Sequence, residues 1–132
     1  MSYELKEAPE GPEIFVSAGD RESLYRDAIS GVLEVVYGGP PRGEVEGQAV
    51  PIQAVGSDDK KILSDLVASL LEAVSSSSGR LRPPRWMAFD TDRVTANLPE
   101  ETRPAGRSPI EIASVSTGDL SARLSLRRVD TH

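Results

Sequence analysis

Three carboxylates stand at three-residue intervals in the opening stretch, Glu7, Glu10 and Glu13, the one place where acids gather beside a strand-to-helix unit. Acid–base chemistry at this end of the chain would have to run on carboxylates alone, with Glu10, Glu13 and Asp130 brought together. General acid–base catalysis ordinarily draws on His, Cys or Lys as well, and that set contains none of them. The sequence therefore speaks against an enzyme. The plainer expectation for the acidic lead is a flexible arm kept in solvent by Pro9 and Pro12.

Two other places invite a chemical interpretation and do not sustain it. Gly19-Asp20 ends an apolar strand and opens a helix, but a phosphate-cradling loop needs several glycines with a Lys and a Ser or Thr. A helix N-cap is expected there instead. Asp90-Thr91-Asp92 begins like a calcium loop, yet Val94 and Thr95 occupy the fifth and sixth positions, where an oxygen ligand and the turn glycine belong. A solvated hairpin turn is expected. The single histidine, His132, is the last residue, and cysteine is absent. Internal histidine triads, zinc sites, disulfides and cysteine nucleophiles are thereby excluded.

The elements that would position these residues follow from periodicity. EIFVSAGDRESLYRDAISGVLEVV, from Glu13, and AVPIQAVGSDDKKILSDLVASLLEAV, from Ala49, each read as strand, glycine turn and amphipathic helix. At an offset of 38, Ile14 falls on Ile52, Asp20 on Asp58 and Asp27 on Asp65. Asp20 caps the first helix, whose stripe is Leu24, Ala28, Ile29, Val32, Leu33 and Val36. Ser57 or Asp58 caps the second, whose stripe is Ile62, Leu63, Leu66, Val67, Leu70, Leu71 and Val74, with Ser75 to Gly79 fraying into a loop.

Beyond Pro84 the period changes to two. RWMAFDTDRVTANL reads as a hairpin, PEETRPAGRSP as a polar loop and IEIASVS as a strand. In LSARLSLRR, Leu120, Ala122, Leu124 and Leu126 alternate with Ser121, Arg123, Ser125 and Arg127, a strand with one buried face. Pro51 cannot donate to a ladder, so its strand belongs at an edge or carries a bulge. The expected fold is α+β: one domain over residues 1–132, a mixed or antiparallel β-sheet with two amphipathic helices on one face.

Charge bounds the partner class. The net charge is −6, and residues 1–66 hold 13 acids against 6 bases while residues 67–132 hold 8 against 9. Nucleic-acid binders need a basic face; this chain offers only the small cluster Arg80, Arg82 and Arg85. Direct nucleic-acid binding is not expected. Neither a signal pattern nor a membrane-spanning run is evident, which makes a cytoplasmic, non-membrane protein the expectation.

The layout resembles the archease family. Tyr3-Glu4-Leu5 is similar to the family's opening, VSAGDRESLYRDAISGVLEVV to its first strand and helix, and AVGSDDKKILSDLVASLLEAV to its second. PRWMAFDTDRVTANL is similar to its hairpin and LSLRRVDT to its closing strand. The resemblance implies an accessory protein that activates the GTP-dependent RNA ligase of tRNA splicing and RNA repair. It also implies a Ca²⁺ or Mg²⁺ ion held by acids near both chain ends.

Laid on this chain, the family's signature of acid, His, Thr, Ala and Asp falls on Glu7, Ala8, Pro9, Glu10 and Gly11. The metal-acid position is thus Gly11 and the His position Ala8. The family's Lys-x-x-Thr-Tyr-His stretch falls on Glu111, Ser114, Val115 and Ser116, with a shortened segment near Thr117-Gly118. Asp130 matches its functional position, and Glu10 and Glu13 are the neighbouring acids able to stand in for the lost one. A metal site on Asp130, Glu10 and Glu13 would therefore be degenerate. Two functions follow from the resemblance: an accessory protein docking on an RNA ligase, or a diverged, non-catalytic protein-interaction module that no longer serves one.

Overall fold

Alternating inward apolar positions build the sheets, and three- and four-residue apolar spacing builds the helices. The computed structural model describes residues 2–9, 11–37, 49–76, 79–82, 86–90, 92–104 and 110–128. In chain order these are β1 (Ser2–Ala8), β2 (Gly11–Ser17), α1 (Arg21–Tyr37), β3 (Ala49–Val55) and α2 (Asp59–Ser76). There follow β4 (Gly79–Leu81), β5 (Trp86–Phe89), β6 (Arg93–Pro104), β7 (Ile110–Gly118) and β8 (Ser121–Arg128). The fold is α+β, as the periodicity predicts, with antiparallel strand pairing throughout the described residues. The strands divide between two hydrogen-bonded sheets, ordered β1-β2-β8-β7 and β3-β6-β4, with β5 also paired to β6.

Helix α1 packs on β1, β2 and β8, and α2 on β3, β6 and β7. The predicted stripe of α1 is buried, and Tyr25 and Gly31 are buried with it. Burying one such Leu or Ile contributes about 2 kcal/mol, so the stripe seats the helix more firmly than its intrinsic propensity does. Gly31 is required by close approach: a Cβ there would lie 2.7 Å from the Ile14 side chain. The stripe of α2 is buried except for Leu71, which is half-buried at the rim of the core. Both N-caps form, Ser23 N donating to Asp20 Oδ1 at 2.7 Å and Lys61 N to Asp58 Oδ1 at 2.9 Å. Each replaces a water-bonded amide with a fixed one, worth about 1 kcal/mol.

The ladders correct several expectations. The acidic lead is no flexible arm: residues 2–8 form β1 and pair in register with β2, from Ser2 opposite Ser17 to Ala8 opposite Gly11. Its charges sit on an edge strand, where they discourage further pairing. The predicted polar loop from Pro99 is shorter, because β6 runs on to Pro104 by pairing with β4, Leu81 opposite Glu100 and Gly79 opposite Pro104. Ser75 and Ser76 remain helical, and Gly79 belongs to β4. Leu120 leaves the predicted buried face of β8. It sits in the β7–β8 turn with φ of 50° and is 41% exposed. Pro51 behaves as predicted, on β3 at the edge of its sheet.

Candidate functional site

The two faces of the first sheet carry different chemistry. Ile14, Val16, Ala122, Leu124 and Leu126 turn inward to the core. The alternate residues Glu13, Phe15, Arg123, Ser125 and Arg127 therefore belong to the other face. A groove of about 480 Å³ runs over that face, walled by Ala8, Pro9 and Gly11 at the β1–β2 turn and by Ala113, Ser114 and Ser116 on β7. Its floor includes Glu13, Arg123, Ser125 and Arg127. The register shift between Ile112 and Ser114 makes Ala113 an extra residue in β7 and bends that wall.

Glu13 is the most enclosed charge of the groove, its side chain 16% exposed. In register it faces Ser125 directly and Arg123 on the diagonal. Arg123 Nη2 donates to Glu13 Oε1 at 2.7 Å, and Ser125 Oγ makes a longer contact to the same oxygen at 3.4 Å. The Arg123 guanidinium also lies 5.4 Å from the centre of the Phe15 ring, which Lys6 approaches at 4.9 Å. At the far end Arg127 pairs with Glu111 at 3.3 Å. Among the described residues the arrangement offers two guanidinium groups, three hydroxyls and two carboxylates, counting Glu111 at its end, which suits polar recognition. A carboxylate already bonded to a guanidinium is poorly placed to take a proton from a substrate.

The sequence-predicted positions fall unevenly on this geometry. Glu13 lies in the groove; Glu10 and Asp130 lie outside the described residues. Ala8, Gly11, Ser114 and Ser116, drawn from two distant stretches that the resemblance assigned to one site, line the same groove. Val115 instead points into the core, and Glu7 is exposed on β1. Arg123, Ser125 and Arg127 were legible only as the outward face of an alternating strand. Nothing in the spacing of LSARLSLRR said that β2 would deliver Glu13 to it. Among the described residues no group of three or more His, Cys, Asp or Glu is gathered as a metal site.

Gly11 has a φ of 150°, and a Cβ built there would run into the main-chain carbonyl oxygen of Leu126. The backbone of β2 approaches β8 too closely for any side chain at this position. An acid at this point is therefore incompatible with the backbone of the strand pair as it stands.

The Gly19-Asp20 junction is structural. The Asp20 carboxyl is held below the usual carboxylate range, first by the Ser23 backbone N–H that it caps and then by the Ser23 side chain. Beside it Arg21 reaches Asp59 Oδ1 at 3.1 Å, lies 5.5 Å from the Tyr25 ring and 5.9 Å from the Phe89 ring. Arg21 Nη1 also approaches the Asp90 carbonyl at 3.5 Å. This cluster ties both helix starts to the β5–β6 turn. The turn itself closes through Asp90 N to Arg93 O at 2.8 Å, with Asp90 and Asp92 exposed and Thr91 outside the described residues. No helix among the described residues is long and apolar enough to cross a membrane.

No protein-family profile matches the sequence, and no curated protein matches it. Among solved structures, the solution structure of Methanobacterium thermoautotrophicum protein 1598 is similar, with a TM-score of 0.70 and 12% identity over 96% of this chain and 98% of that one. At that identity the likeness is one of fold: the two chains share an α+β architecture essentially from end to end.

Proposed function

We propose that this chain is an archease-like accessory protein that acts by docking on a protein partner and carries out no chemistry of its own. The partner implied by the resemblance is the GTP-dependent RNA ligase of tRNA splicing and RNA repair. What supports the reading is convergence. Residues 7–11 and 111–116, the two stretches that the resemblance assigns to the functional site, contribute Ala8, Pro9, Gly11, Ala113, Ser114 and Ser116 to one groove. They do so on a fold matched over nearly its whole length. A net charge of −6 suits a basic, RNA-handling partner, because complementary fields steer association.

The test is multiple-turnover RNA joining by the source organism's own ligase, with and without the protein. Stimulation at saturating protein supports the ligase role. A second reading, a diverged interaction module that no longer serves a ligase, draws support from Gly11, where the signature acid has no room. It predicts no stimulation in an assay where a control archease works.

A further inference from the structure

A divalent cation of the calcium or magnesium kind is held by several oxygen donors converging on one point, most of them charged. The described lining of the groove does not fit that requirement. Among the described residues, Glu13 is the one acid lining it, and Gly11 admits no side chain. Ser114, Ser116 and Ser125 add neutral hydroxyls, which bind such ions weakly without carboxylate support.

Glu13 also has its counter-charge already. A carboxylate this enclosed is costly unless it is paired. Arg123 supplies the pair at 2.7 Å, and its guanidinium is fixed from a second side by the Phe15 ring. Both anchors lie on β2, so Arg123 fastens β8 to β2 across the outer face, as an ion shared between the two strands would.

We infer that Arg123 is the resident cation at Glu13: it neutralises that carboxylate, positions the two central strands, and takes there the place that a divalent ion would hold. The inference stands whether or not the chain serves a ligase.

Thermal unfolding tests it. The wild-type protein should melt at the same temperature in EDTA and in millimolar Ca²⁺, Mg²⁺ or Mn²⁺; binding to the folded state would raise the melting temperature with ion concentration. Arg123→Gln should lower the melting temperature, and Arg123→Lys should recover part of the loss. The double variant Glu13→Gln/Arg123→Gln should melt above Arg123→Gln alone, because removing both charges leaves none uncompensated. A concentration-dependent rise with any of these ions in the wild type overturns the inference. So does a double variant no more stable than Arg123→Gln. The ion titration uses the unmodified protein, so it decides the question even where a variant fails to fold.

Discussion

The Tyr25 hydroxyl donates a 2.7 Å hydrogen bond to Asp59 Oδ1, joining the start of α1 to the start of α2 across 34 positions of sequence. The same oxygen accepts Arg21 Nε at 3.1 Å. Tyr25→Phe keeps the ring and its packing on Phe89 while removing the donor. Asp59 is half-exposed and retains Arg21, so the loss should be about 1 kcal/mol. Urea unfolding measures it; an unchanged midpoint would show that the bond is no better than its water-bonded alternative.

Burial, with hydrogen bonding to an acid, pushes two tyrosines up to about 12: Tyr3 beside Glu34, and Tyr25 beside Asp59. An unfolded tyrosine titrates near about 10. The folded state therefore keeps these protons after the unfolded state has lost them. Their contribution to stability is complete below the unfolded value and is lost as pH rises through the folded one. Melting temperature should fall through that alkaline window, and less steeply in Tyr25→Phe. An equal slope in the two proteins would remove Tyr25 from the account.

Asp27 has one buried carboxylate oxygen, Oδ2, without a hydrogen-bond partner among the described residues. Desolvation raises its pKa, against the smaller opposing influence of Arg26. A raised folded value means that the fold favours the protonated acid, so this group's contribution declines as pH rises from the unfolded value through the folded one. Asp27→Asn should raise the melting temperature at neutral pH and lose that advantage in acid, where the wild-type group is protonated in both states. A benefit of equal size at both pH values would point to packing instead.

Leu120 holds a left-handed backbone at φ of 50°, and its carbonyl accepts the Ala18 amide at 3.0 Å. The turn is thereby pinned to the end of β2, which keeps a branched side chain in a conformation that costs about 1 kcal/mol. Leu120→Gly should relieve that strain while giving up the covered part of the side chain and adding unfolded-state freedom, so the net gain should be only a fraction of it. A loss of stability would mean that the side chain contributes packing that its exposure conceals.

At Gly11 the same reasoning reverses. Gly11→Ala drives a methyl group against the Leu126 carbonyl and should cost about 2 kcal/mol or more, because backbone on both sides must move. Chemical denaturation measures the loss; a change within about 0.5 kcal/mol would argue against backbone collision at Gly11.

Local pattern made the helices legible: nearly every residue of their predicted stripes is buried, Asp20 caps the first as expected, and of Ser57 and Asp58 it is Asp58 that caps the second. For the strand Pro51 occupies, its missing donor left an edge or a bulge, and the structure has the edge. What escaped detection was pairing between distant segments. Lys6 to Glu13 looked like a solvated arm because its charges are real, while the backbone bonds that make β1 a strand leave no mark on composition. Pro99 and Pro104 looked like loop residues because the strand that pairs with that stretch, β4, is three residues long. The groove was half legible for the same reason. Glu13 stood out among neighbouring acids, but its partner Arg123 lies 110 positions away and reads alone as surface.

The β2–β8 pairing also sets a timetable. Glu13 and Ser125 sit opposite each other although 112 positions separate them. A ribosome delivers residues in order, so the centre of the first sheet cannot close until β8 has emerged. Contacts of such long range are slow to form because the intervening chain must first be gathered. The second sheet and both helices are released earlier and can associate first. During that interval the inward faces of Ile14 and Val16 lack their β8 neighbours, leaving an apolar strand edge open to other chains. The first sheet is thus the last part of this unit to close, and its exposure to misassembly lasts until β8 joins β2.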